Sequence, residues 1–422
     1  MKGEVDWISS MCQMIVTRYP SFDKQLSKKA NKQLVLDIYD SLPVLEKDII
    51  LDSLDCTIAS DISSRKKLIY EMMNDDGMTR NHDKKIDNQW NIEFTTGTSG
   101  KRFPILKSAR TKMIESKYLL RKRKDINQNA TLNNAFLFLH TNQEMIRNMN
   151  LWEFKGTDLD AIGKALLARD RFWVFATPLI YKNVAQWLVE NKKETELGDI
   201  FFCEYTSQAL EPEEKEKFSS IFKTRFINNY GTREFWNIAY ECIEGNLHIN
   251  DEYLFVGLID ENGKMIYEDG VIGNIVITHF ENKEMCFLKY RLDDRGMFVS
   301  DKCPCGCNSK IIRLVGERPN EMLINTKYSG KNVFRRVMRG LYFEDKISDI
   351  KTIKIVQDEP YHISVYINKE FGRDEWFENR FMHRVGRIVE NVDEYKFDFY
   401  YYVPQELLKN YTFKENIFIN TL

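Results

Sequence analysis

Nowhere in the 422 residues do roughly 18 consecutive apolar residues occur, so the sequence predicts no membrane-spanning helix. Neither sign of charge dominates. Sixty-one Lys and Arg stand against 63 Asp and Glu, a formal charge of −2, which removes any global electrostatic case for nucleic acid or an anionic membrane as partner. The four consecutive cations Arg121, Lys122, Arg123 and Lys124 read as a solvated helix surface. Eight cysteines are too few for a disulfide scaffold in a chain of this size. The opening MKGEVDWISSMCQM carries acidic residues close to Met1 and no long apolar core, unlike a secretory signal. Together these features predict a cytoplasmic protein whose cysteines are thiols or metal ligands. Six histidines and scattered acids compose no evident catalytic constellation of their own.

What is present is an ordinary globular balance and length enough for two domains. Residues 1 to about 80 read as helical, with apolar positions three and four apart in NKQLVLDIYDSLPVLEKDIILDSL and an interruption expected at Pro43. From about residue 130 the strand-like runs 135–140, 172–177 and 199–205 alternate with the helix-like runs 182–193 and 212–223. That alternation predicts an α/β sheet with helices on its faces. Beyond residue 247 the texture changes, and YLFVGLIDENGKMI places a turn at Glu261-Asn262-Gly263 between apolar runs, as in an antiparallel β subdomain. After residue 320, strand-like KTIKIV and YHISVYI, a helix over 375–392 and strand-like KFDFYYYV compose a small α+β unit.

The most informative segment is FTTGTSGKRFP at residues 94–104. Hydroxyls and glycines concentrated beside a lysine suit a phosphate loop, where amides approach an anion closely. It is not a Walker loop, because only Thr98 and Ser99 separate Gly97 from Gly100, and Arg102 follows Lys101. Three further segments follow in order: NYGTRE (229–234), YRLDD (290–294) and GERPNEM (316–322).

These four segments resemble the motifs of the adenylate-forming superfamily of acyl- and aryl-CoA synthetases. Thr95, Thr96, Gly97, Thr98, Ser99, Gly100 and Lys101 match its phosphate loop position by position, with the proline arriving late at Pro104. NYGTRE is similar to the adenine-binding Y-G-x-T-E, with Arg233 in place of threonine. YRLDD stands where the family has Y-R-T-G-D, and GERPNEM resembles its hinge segment. SLPVLEKDII (41–50) and EYTSQALEPEEKEKFSSIF (204–222) resemble the phenylacetate-CoA ligase branch, which includes capsule-locus relatives.

The resemblance implies a large N-terminal adenylation domain (1–318), with α/β sheet layers and a β subdomain. A small mobile α+β C-terminal domain (319–422) follows. It implies that Thr95 to Lys101 cradle the ATP phosphates and that Asn229, Tyr230, Gly231 and Thr232 form the nucleotide segment, with Tyr230 stacked on adenine. Glu234 would bind magnesium, Asp294 would hold the ribose, and Arg318 would mark the hinge. Lys101 and Glu234 are the expected catalytic residues. Lys414 in YTFKENIF is the candidate for the C-terminal lysine, with Phe413 where the family has glycine. Trp236 and Asn237, which follow the adenine segment, are candidates for the substrate pocket.

Cys242 and His248 in YECIEGNLH, with Cys303, Cys305 and Cys307 in CPCGC, have residue types that zinc takes in a tetrahedron. Spacing alone leaves plain thiols as the alternative. Some members of the phenylacetate-CoA ligase branch pair a cysteine and a histidine with a later C-x-C-G. That resemblance implies a closed structural zinc on Cys242, His248, Cys303 and Cys305, with Cys307 as the substitute.

The implied function is ATP-dependent activation of a small-molecule carboxylic acid to an acyl adenylate, then transfer to a thiol, most simply coenzyme A. Twenty-seven Phe, 20 Tyr and 7 Trp supply material for an aryl-acid pocket, although most belong to a core. Two alternatives stand beside it. One is transfer to a carrier protein or an amine; the other is a degenerate homologue that binds nucleotide without turnover.

Overall fold

The computed structural model describes residues 4–29, 31–46, 84–85, 90–94, 103–137, 159–300, 302–315, 323, 330–343, 345, 347, 350–369, 372–404, 407 and 418–420. The chain divides into two units, residues 1–292 with 296–314, and residues 293–295 with 315–422.

The first unit opens with helices Glu4–Arg18 (α1), Asp23–Lys29 (α2) and Lys32–Ser41 (α3). Asn31 caps α3 by accepting the amide of Leu34 at 2.9 Å. The helix stops at Ser41, consistent with Pro43 disfavouring helical backbone just before it. Met11, Ile15, Val35 and Ile38 bury the apolar faces of these helices. A small antiparallel sheet follows, made of Lys84–Lys85 (β1), Trp90–Phe94 (β2) and Pro104–Ser108 (β3). Ser108 then caps Ala109–Ile126 (α4), its hydroxyl accepting the amide of Thr111 at 3.2 Å.

Next comes the alternation anticipated from the apolar runs. Its elements are Ala135–Leu137 (β4), Leu159–Leu167 (α5), Phe172–Ala176 (β5), Pro178–Glu190 (α6), Ile200–Tyr205 (β6), Pro212–Phe222 (α7) and Phe226–Tyr230 (β7). The four strands pair in parallel. Proline opens both α6 and α7, where its fixed φ suits the first turn and its missing N–H costs nothing.

Past β7 the chain switches to antiparallel pairing. The remaining strands of the unit are Ala239–Glu241 (β8), Leu247–Ile249 (β9), Leu254–Ile259 (β10), Met265–Ile266 (β11), Gly273–His279 (β12), Tyr290–Val299 (β13) and Ile311–Leu314 (β14). They join β4–β7 in one sheet of eleven strands, in the order β11-β10-β12-β13-β14-β9-β8-β7-β6-β5-β4. The expected turn after β10 is present: Leu258 pairs with Ile266, and Gly263 takes φ +79°, a conformation that favours glycine.

The second unit holds Gly330–Phe343 (α8), Ile350–Glu359 (β15), His362–Lys369 (β16), Glu375–Gly386 (α9), Lys396–Tyr400 (β17) and Phe418–Asn420 (β18). Its sheet runs β17-β16-β15-β18. Phe334, Val337 and Leu341 of α8 and Phe377 and Phe381 of α9 share a core with Ile355, Ile363 and Val365 of the sheet. α9 ends at Gly386 rather than continuing to 392, and a short 3-10 turn, Val392–Glu394, follows. No helix among the described residues is long and apolar enough to cross a membrane.

Candidate functional site

The switch from parallel to antiparallel pairing falls at β7, and the segment NYGTRE leaves the C-terminal end of that strand. In open α/β sheets, ligands are received outside the carboxyl ends of parallel strands where the strand order or direction changes. The chain loops from Tyr230 back to β8, and the loop is closed where the Ile238 amide donates to the Tyr230 carbonyl at 2.7 Å. Gly231 is required there. A Cβ at that position would meet the Trp236 carbonyl oxygen at 2.0 Å.

Phe235 is fully buried under the loop, its ring 5.1 Å from Phe287 and 5.8 Å from Tyr290. That anchor places Glu234 over β13. Glu234 is 4% exposed and accepts the Tyr290 hydroxyl at 3.2 Å on Oε1. Two segments read separately in the sequence, NYGTRE and YRLDD, therefore meet through a side-chain hydrogen bond. The hydroxyl of Thr232 is buried with no hydrogen-bond partner among the described residues, an orphan that a bound polar ligand would satisfy. Asp294 lies four residues beyond Tyr290 on β13.

Asn229 and Asn237 hold the two ends of the loop from inside. The Asn229 amide nitrogen donates to Glu204 at 2.9 Å, and the Asn237 amide nitrogen donates to Asn229 Oδ1 at 2.7 Å. Glu204, on β6, is completely buried. It also accepts two bonds from Arg123, at 2.7 and 2.8 Å, and the Tyr240 hydroxyl at 2.8 Å. Arg123 is therefore not part of a solvated cationic face. Its guanidinium is drawn inward as the bidentate partner of a carboxylate that is otherwise costly to bury. This buried acid gave no sequence signal, since its partners lie 25, 36 and 81 residues away.

A second cluster forms where β9 meets β14. Pairing of His248 with Ile311 brings the loop before β14 beside the turn after β8. One donor atom each from Cys242, His248, Cys303 and Cys305 lie within 4.8 Å of one another. Cys242 and Cys303 Sγ are 3.6 Å apart, and Cys305 Sγ is 3.3 Å from His248 Nε2. A tetrahedron with metal–sulfur bonds of about 2.3 Å has edges of about 3.8 Å, so the set fits a zinc ion. His248 Nδ1 lies 2.9 Å from the Ser309 carbonyl. That contact puts the ring proton on Nδ1 and turns the Nε2 lone pair toward the thiols. Gly306 takes φ +80°, and the Cys307 amide donates to Cys305 Sγ at 3.4 Å, so Cys307 contributes its backbone to this arrangement. Burial pushes the Cys303 thiol up, but the Cys305 amide and the Asn246 and His248 side chains outweigh it and lower it to about 6. Cys242 and Cys305 are both raised, first by burial. Of these three thiols only Cys303 is lowered, so Cys242 and Cys305 stay protonated here, and a metal bound by the set would have to displace their protons.

The Thr95–Lys101 loop, Arg318 and Lys414 lie outside the described residues. The strands flanking that loop pair antiparallel, Phe94 opposite Pro104.

No protein-family model matches the chain, and no curated protein matches it. Solved structures do resemble it. One is 2-hydroxyisobutyryl-CoA ligase in the postadenylation state in complex with 2-HIB-AMP. The TM-score is 0.65 at 11% identity, over 98% of this chain and 88% of that one. The same ligase with R3-HIB-AMP gives a TM-score of 0.62 at 11% identity, over 93% and 84%. ATP-bound MatB from Rhodopseudomonas palustris gives 0.51 at 14% identity, over 75% and 67%. These likenesses show the fold: the chain has the architecture of adenylate-forming ligases, with a large N-terminal α/β domain and a smaller C-terminal domain.

Proposed function

We propose that the protein is an AMP-forming acid–thiol ligase, similar to the phenylacetate-CoA ligase branch, acting on an aryl or similar small carboxylic acid. The observation that supports this best is the loop beyond β7. Buried Glu234 is braced by Tyr290, and the Thr232 hydroxyl of the same loop has no partner among the described residues, in the loop that leaves the carboxyl end of the parallel strand β7. A site at the carboxyl end of parallel strands, where pairing changes direction, supports reading this loop as the nucleotide site.

In the first step, the substrate carboxylate oxygen bonds to the α-phosphorus of ATP, and the bond to the bridging oxygen breaks to release pyrophosphate. In the second, the coenzyme A thiol loses its proton to solvent, its sulfur bonds to the acyl carbon, and the bond from that carbon to the phosphate oxygen breaks to release AMP. The protein's part is positioning and charge neutralisation. Tyr230 stacks on adenine, Asp294 holds the ribose, Lys101 and the Thr95–Gly100 loop take the phosphates, and Arg318 marks the hinge between domains 1–318 and 319–422. Lys414 is the C-terminal lysine. Glu234 offers the hard oxygen donor that the magnesium accompanying ATP requires. Cys242, His248, Cys303 and Cys305 would hold a structural zinc that fastens the β subdomain and, with four protein ligands, would leave no position for a reacting group.

Incubation with ATP, magnesium and a panel of aryl and aliphatic acids, followed by mass spectrometry, tests this. An acyl adenylate without thiol, converted to a thioester when coenzyme A is added, is the expected product. Adenylate that persists with coenzyme A but disappears with an amine or a carrier protein would reassign the acceptor.

A further inference from the structure

Glu93, on β2, is a carboxylate that the molecule buries completely. Lys112 Nζ lies 3.0 Å from Oε1, and the Trp236 indole N–H donates to Oε2 at 2.8 Å. Burial pushes the carboxyl up, but Lys107, Lys112, the indole N–H and Arg233 together pull it below the usual carboxylate range, so it is ionised. Trp236 is bound on its other surfaces too, with Lys107 and Lys112 Nζ 4.8 and 5.2 Å from its ring centroid.

The backbone of Trp236 is the informative part. Its φ is +43°, left-handed in a bulky residue, which persists only where the surroundings over-determine it. Its carbonyl is folded against Gly231 so closely that no Cβ fits between them. The loop's attachment to the core does not need this contact, because Phe235 and the Ile238–Tyr230 bond already provide it. Nor is a buried ion cluster an efficient source of stability. What the Glu93–Trp236 bond adds is the conformation of residues 231–236.

We propose that Glu93 and Trp236 are a positioning pair, which holds the Tyr230–Glu234 segment in the shape that receives the nucleotide. The pair rests on the reading of that segment as the nucleotide site. Neither residue touches ATP; Trp236 acts through Gly231, and Glu93 acts through Trp236.

The test variant is Trp236→Phe, which keeps a ring beside the two lysines and removes only the donor. Its KM for ATP rises about 10-fold, the effect of one lost hydrogen bond to a charged group. Trp236, a pocket candidate from its sequence position, has its side chain engaged by Glu93, Lys107 and Lys112, so the KM for the acid and kcat stay within about 2-fold. In the ligand-free protein, amide exchange at 231–237 accelerates about 10-fold, while β10 and β12 keep their protection. Glu93→Gln retains an acceptor for the indole and changes both readouts less. Unchanged exchange at 231–237, or a uniform rise that includes β10 and β12, overturns the pair whatever ATP does. Wild-type protein that binds no ATP overturns the nucleotide reading and the assigned role with it, while the exchange result still reports the contact.

Discussion

Glu234→Ala lowers acid-dependent pyrophosphate release by about 10²–10³-fold, the scale expected when a carboxylate that places positive charge at a transferring phosphoryl group is removed. The expectation follows from burial. Glu234 is 4% exposed, yet Tyr290 is the hydrogen-bond partner its geometry identifies. A buried carboxylate to which the described residues offer one neutral hydroxyl is well compensated when a cation joins it. Tyr290→Phe keeps the ring packed on Phe235 and Phe287 and removes only the hydroxyl. It gives a smaller loss, about 10-fold. Equal losses in the two variants would mean that Glu234 acts only as a partner for Tyr290. Circular dichroism and thermal melting separate this from unfolding, since the loop remains anchored by Phe235 in both.

On the proposed zinc assignment, Cys303→Ser lowers the zinc that copurifies with the protein and lowers Tm by on the order of 5–10 °C in a domain of this size. Cys303 approaches Cys242 at 3.6 Å, and the cluster fastens residues 303–305 of its loop, whereas residues 309–311 are tied to β9 separately by the Ile249 amide on the Lys310 carbonyl and by the pairing of His248 with Ile311. Loss of the cluster would therefore loosen residues 303–305 while the end of the loop next to β14 stays tied to β9. Cys307→Ser serves as the control. Its amide, not its thiol, supports Cys305, so zinc content stays at one per chain. Metal analysis by mass spectrometry with parallel melting curves checks both. Wild-type protein isolated without metal, whose Tm is unmoved by added zinc, would contradict the assignment.

Local chemistry made much of the fold legible. Pro212 opened a helix where the run 212–223 begins, the helix read over 182–193 starts earlier at Pro178, Asn262-Gly263 turned a hairpin, and runs such as FWVFA and IFFCEY became buried parallel strands. The Cys and His positions chosen by spacing and resemblance are the four that β9–β14 pairing gathers. What escaped was non-local or lacked contrast. Arg123 carries the same sequence signal as Arg121, Lys122 and Lys124, and only the fold sends it to a glutamate 81 residues away. Glu93 and Trp236 are 143 residues apart. Helix α8 went unread although Val333, Phe334, Val337, Met338 and Leu341 recur at helical spacing, because Gly330, Gly340 and clustered cations disguise the pattern. The end of α9 at Gly386 was missed because apolar spacing continues through Ile388, Val389 and Val392. Glycine's weak helix propensity decided the boundary instead.

The central claim, that this chain joins an acid to AMP, is tested most directly by pyrophosphate release with ATP, magnesium and a broad acid panel. Lys101→Ala and Glu234→Ala are run alongside. Release that requires a particular acid and that both substitutions suppress is the predicted result. ATP hydrolysis indifferent to every acid, or no ATP binding by the wild-type protein, would contradict it.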